Sequence, residues 1–90
     1  MKYSIAIVEE GATKFRVTIA DGNSKTSHLV SVRPEDVAKY APGARTEALL
    51  RASFEFLLAR EPKESILREF ALPDIEKYFP DFRSRLKIST

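Results

Sequence analysis

The sequence contains no cysteine, which removes disulfides and thiolate metal sites together, and a small domain that folds without such staples fits a reducing cytoplasm. Histidine occurs once, at position 28, so the usual zinc ligand sets of several His and Cys residues are excluded as well. The three glycines, Gly11, Gly22 and Gly43, are too scattered to build a phosphate-cradling loop. Long apolar runs are also missing. The first one, Tyr3 to Val8, stops at Glu9 and Glu10 and is too short for a signal-peptide core or a membrane span. No metal, no cofactor and no membrane association are therefore expected.

What is present describes a folded chain. A hydrophobic fraction of 43% beside 31% charged residues is far from the composition of disordered segments. Ninety residues make one α+β domain, organised as a β-meander over 1–33, a helical part over 34–80 and a tail over 81–90. The net charge of +2 is spread through the chain: residues 1–33 carry five basic and three acidic groups, 34–61 four and five, and 62–90 six and five. A nucleic-acid binder normally gathers its basic residues on one face. Here the only local excess is Arg83, Arg85 and Lys87.

Large apolar residues recur at every second position in Tyr3, Ile5, Ile7 and in Phe15, Val17, Ile19, the period of strands with one buried face. Asp21-Gly22-Asn23 supplies the positive-φ positions of a tight hairpin. A third strand should return over Thr26 to Val32, with His28, Val30 and Val32 on one side. The result is a three-stranded antiparallel meander with one apolar face, which the following helices must cover.

Proline marks the helix starts. Pro34, followed by Glu35 and Asp36, opens a short helix ending near Tyr40, and Thr46 is placed to cap a longer one reaching about Arg60. On that longer helix only Glu47, Arg51 and Glu55 form a polar stripe, so it is expected to be the central helix over 47–60, packed on several sides. Pro62 is read as opening a helix with Ile66, Leu67 and Phe70 on one face, and Pro73 another with Ile75, Tyr78 and Phe79. That makes about four short-to-medium helices. The tail, with Phe82, Leu86 and Ile88, suits either a docked edge strand or a mobile end.

Each catalytic candidate has a simpler structural explanation. A Ser-His-acid set would need His28, which lies in an alternating strand with no nucleophile-elbow glycines near any serine. Ser53 interrupts the apolar arc of the central helix and is read as bonding back to the Leu49 carbonyl. The acid pairs Glu9-Glu10 and Glu35-Asp36 sit at a hairpin loop and a helix start, where acids are common. No catalytic residue is assigned.

Two functional expectations remain. Aromatic residues at the ends of short helices, Tyr40, Tyr78, Phe79 and Phe82, together with Arg83, Arg85 and Lys87, form a candidate interaction surface for a protein partner or a second copy. The chain is accordingly read as a non-enzymatic interaction or regulatory domain, self-associating or partner-binding. The alternative is a DNA-binding regulator using a helix-turn-helix-like segment over 63–79. Against it, the second of those helices exposes Asp74 and Glu76 beside Lys77 and is net acidic.

The stretch Glu47 to Leu67, with Leu72-Pro73-Asp74-Ile75-Glu76-Lys77-Tyr78-Phe79-Pro80 after it, resembles a set of short bacterial proteins of unknown function. The resemblance spans about the C-terminal half. It implies a bacterial cytoplasmic source and transfers no active residue. The β-β-β-α beginning is similar to small antitoxin-like domains in architecture alone.

Overall fold

A computed structural model describes residues 3–88. Three strands, β1 (Ser4–Glu9), β2 (Lys14–Ala20) and β3 (Lys25–Ser31), form the expected antiparallel meander. Its second turn follows from Asp21. The Oδ1 atom accepts the backbone N–H groups of Asn23 and Ser24 at 3.0 and 3.1 Å, while Gly22 takes φ 94°, a conformation that costs a residue with a Cβ. The alternation places Phe15, Val17, Ile19, Thr26, His28 and Val30 on the buried face.

Helices α1 (Pro34–Tyr40) and α2 (Thr46–Leu58) follow. Pro34 stands at the start of α1, and the Asp36 carboxylate accepts the Arg33 backbone N–H at 2.9 Å. In α2, Thr46 is the first helical residue and not the cap; Arg45 takes the capping position, with no side-chain cap bond. Leu49, Leu50, Phe54, Phe56 and Leu57 of α2 are buried, and Glu47, Arg51 and Glu55 are exposed, as its wide apolar arc requires. Ser53 Oγ donates to the Leu49 carbonyl at 2.7 Å. This hydroxyl is satisfied inside its own helix.

The segment after Pro62 departs from the sequence reading. A single 3-10 turn at Lys63–Ser65 leads into extended backbone at Ile66 and then into β4 (Glu69–Ala71), which joins the sheet parallel to β3. The sheet therefore has four strands in the order β1-β2-β3-β4 and is mixed. Tertiary pairing overrides local helix propensity here. Leu29 N–H donates to Arg68 O at 2.8 Å, Leu72 N–H to Ser31 O at 2.9 Å, and the His28 ring bonds the Leu67 carbonyl. With β4 in place of the first helix, no helix-turn-helix forms over 63–79. The 3-10 turn is itself clamped to the β2–β3 hairpin. Lys63 Nζ, its side chain 3% exposed, lies 2.7 Å from Asp21 Oδ2 and 2.7 Å from Glu64 Oε2. That ammonium, helped by the two backbone N–H groups, pulls the Asp21 pKa down to about 2.

The chain ends in α3 (Asp74–Tyr78) and α4 (Phe82–Arg85). Over its described part the tail is thus not an edge strand: residues 82–85 form α4 with Phe82 completely buried, and Leu86 and Ile88 pack partly buried against the core. Residues 89 and 90 of the expected tail lie outside the described residues. Among the described residues no helix is long and apolar enough to cross a membrane.

Candidate functional site

The sequence-selected aromatics fall into two different places. Tyr40 and Phe82 pack as tilted rings with centroids 5.2 Å apart, Phe82 meets Phe56 edge-on at 5.2 Å, and Phe56 meets Phe79 at 5.8 Å. These rings form a packed cluster at the junction of α1, α2 and α4. Tyr40 and Phe82 are buried and Phe79 is partly so. The Tyr40 hydroxyl donates to Glu76 Oε1 at 2.8 Å, and burial followed by this bond raises its pKa to about 12. Cations close the cluster over. Arg60 lies 3.8 Å from the Phe56 ring centroid, Lys39 and Arg83 lie 5.1 and 5.6 Å from that of Tyr40, and Arg60 bonds Asp81 at 2.6 Å. Arg85 also pairs with Asp81, at 3.7 Å. Lys87 lies elsewhere, in a shallow polar depression with Arg45, Glu47 and Arg51 along α2. Arg83 and Arg85 are thus engaged with Tyr40 and Asp81, and Lys87 with the residues of α2.

Tyr78 is the exception. It is 67% exposed and, with Leu67 at 50% exposure, lines a cleft of about 190 Å³. Leu57 of α2, Phe70 of β4, Ile75 of α3 and Phe79 just after α3 line the cleft, together with Ser65, Glu61 and Asp74. Each wall has a local cause. The strand geometry that replaces the expected helix turns Ile66 and Phe70 inward and Leu67 outward. The helical reading had put all three on one face. Behind Leu67, the backbone is held by His28, whose Nδ1 lies 2.7 Å from the Leu67 carbonyl oxygen and whose Nε2 lies 2.8 Å from Thr26 Oγ1. His28 is buried against Phe54, and burial, with the charge of Arg68 adding to it, lowers its pKa. Both ring nitrogens are occupied in holding the fold together.

Sequence reasoning passed over Glu61. It follows the C-terminal end of α2, the negative end of the helix dipole, where an acid is disfavoured. Among the described residues it has no ion-pair partner, and desolvation raises its pKa. Its neighbour Asp74 differs: one oxygen accepts the Ala71 backbone N–H at 3.1 Å and the other pairs with Lys77 at 3.3 Å. The signal available in the sequence is an acid just after the end of a long apolar helix; its neighbours Arg60 and Lys63 pair instead with Asp81 and Asp21. Among the described residues no group of three or more His, Cys, Asp or Glu side chains is placed to hold a metal ion.

No family model, no curated protein and no solved structure matches this chain.

Proposed function

We propose that this chain is a non-enzymatic protein-interaction domain whose docking surface is the cleft between Leu67 and Tyr78. Its occupant is a partner segment carrying a bulky apolar side chain next to a lysine or arginine. The observation that carries this reading is the coincidence, at one small cleft, of two of the three exposed large hydrophobic side chains among the described residues with a partly desolvated carboxylate that has no ion-pair partner among them. Apolar area there gains from removal from water. A cation beside Glu61 would relieve both its missing partner and its unfavourable place at the helix end. Charge complementarity thus selects a cationic apolar segment over an acidic one.

Display of random peptides against the intact chain tests the reading. The expected outcome is enrichment of sequences that pair a Leu, Ile, Phe or Trp with Lys or Arg, lost in Tyr78→Ala. Selected peptides should bind Glu61→Gln about tenfold more weakly, the equivalent of about 1.4 kcal/mol. Enriched sequences without a cation, or binding indifferent to both substitutions, would overturn it.

A further inference from the structure

The two edges of the sheet are built differently. β4 is an edge of only three residues, Glu69–Ala71, and short edges resist pairing with other chains. β1 is six residues long, pairs with β2 in an unbroken register from Ser4↔Ala20 to Glu9↔Phe15, and contains no proline, no basic residue and no bulge. None of the usual devices that blunt an edge strand is present along it, apart from Glu9 at its end.

Backbone alternation shows which groups the edge offers. Glu10 N–H donates to Lys14 O at 2.8 Å, so in this antiparallel ladder the even-numbered residues of β1 bond to β2. The N–H and C=O groups of Ile5, Ile7 and Glu9 face away from the sheet. On the helix-covered side Ile5 and Ile7 are only half-buried. Ile5, Leu58 and Ala59 line a shallow depression between the edge and α2. On the open side Ala6 is exposed and Val8 is 58% exposed.

We propose that this edge binds a second copy of the same chain, strand to strand and antiparallel, about a twofold axis through Ile7, making one continuous sheet across two molecules. The sequence of β1 is self-complementary in this register. Ile7 meets its own copy on the helix side, where it extends both cores. Val8 lies opposite Ala6 of the second copy, large against small. Ile5 lies opposite Glu9 of the second copy, so the acids of the two strands stand at opposite ends of the seam. A register centred on Glu9 would instead bring like charges face to face. The axis is perpendicular to the sheet, which leaves both α2 helices on the same side, with Leu58 and Ala59 flanking the seam from each molecule.

Sedimentation velocity of the full chain from about 5 μM to 1 mM tests the proposal. A mass rising toward twice the 10.2 kDa monomer is expected, together with concentration-dependent hydrogen-exchange protection of the Ile5, Ile7 and Glu9 amides. Charge pairs then test the register, because positions 6 and 8 face each other twice across the axis. Ala6→Lys with Val8→Lys places lysines opposite lysines and should give a monomer. Ala6→Lys with Val8→Glu places opposite charges together and should restore the dimer. Both positions are exposed, and circular dichroism confirms that each double variant is folded. A wild-type monomer at 1 mM overturns the proposal, as does a dimer that survives Ala6→Lys with Val8→Lys. A dimer abolished equally by both doubles overturns the register.

Discussion

Two aromatic regions flank the C-terminal half of α2, and they are finished in opposite ways. At the Tyr40–Phe56–Phe82 cluster every ring has another ring beside it, Arg60, Lys39 and Arg83 lie over the outer faces, and the one buried hydroxyl is bonded to Glu76. At the Leu67–Tyr78 cleft the rim side chains are exposed, and the nearest free acid has no cation. Cations lie over the outer rings of the first region, whereas at the second Arg60 reaches only the Phe79 ring, at 5.9 Å, and none pairs with Glu61. The composition of the two is similar, so aromatic content does not separate core from surface here; what separates them is whether polar groups close the boundary.

Truncating one ring on each side separates the two regions most directly. Phe82→Ala removes a fully buried ring and should cost about 3–5 kcal/mol, enough to unfold much of a domain this small, as measured by urea unfolding. Equal tolerance of Phe82→Ala and Tyr78→Ala would erase the distinction.

A smaller effect is expected from Tyr40→Phe, which keeps the ring and removes only the bond to Glu76, for a loss of about 1–2 kcal/mol. The pH dependence sharpens this. With the folded Tyr40 pKa raised to about 12, the unfolded chain releases the phenol proton first, near pH 10. Stability from this group is complete below about pH 10 and is lost as pH rises toward 12. Thermal melts across that range should show this loss in the wild type and not in Tyr40→Phe.

The smallest effect belongs to the open side. Tyr78→Ala should change unfolding free energy by less than about 0.5 kcal/mol, as exposed positions away from special contacts do. A loss of 2 kcal/mol or more would show that the cleft is a structural element and that Tyr78 is held in it.

The meander was legible because period-two alternation and Asp21-Gly22 act locally, and α2 because its apolar arc is wide over many turns. Residues 63–71 were not legible. Lys63, Glu64, Leu67, Arg68 and Glu69 are good helix formers, and nothing nearby in the chain announces that the free edge of β3 and the His28 ring will claim the backbone of Leu67 and Arg68. Phe82 was misplaced for a related reason: its partners, Tyr40 and Phe56, come from two other helices. The cleft followed the same rule, since its walls come from α2, β4 and α3. Of the residues selected for an interaction surface, Tyr78 alone lies at the cleft rim, with Phe79 in its wall.

The parallel strand has a temporal consequence. The β1–β2 and β2–β3 hairpins close over short loops, whereas the His28–Leu67 bond joins residues 39 positions apart and β4 pairs at a similar separation. Loop-closure entropy favours the hairpins early and the parallel pairing only once α1 and α2 have brought residue 67 back to the sheet. The Leu67–Tyr78 cleft is therefore complete only when the last strand is seated, so a partner that recognises it reads a finished molecule and passes over a partly folded one.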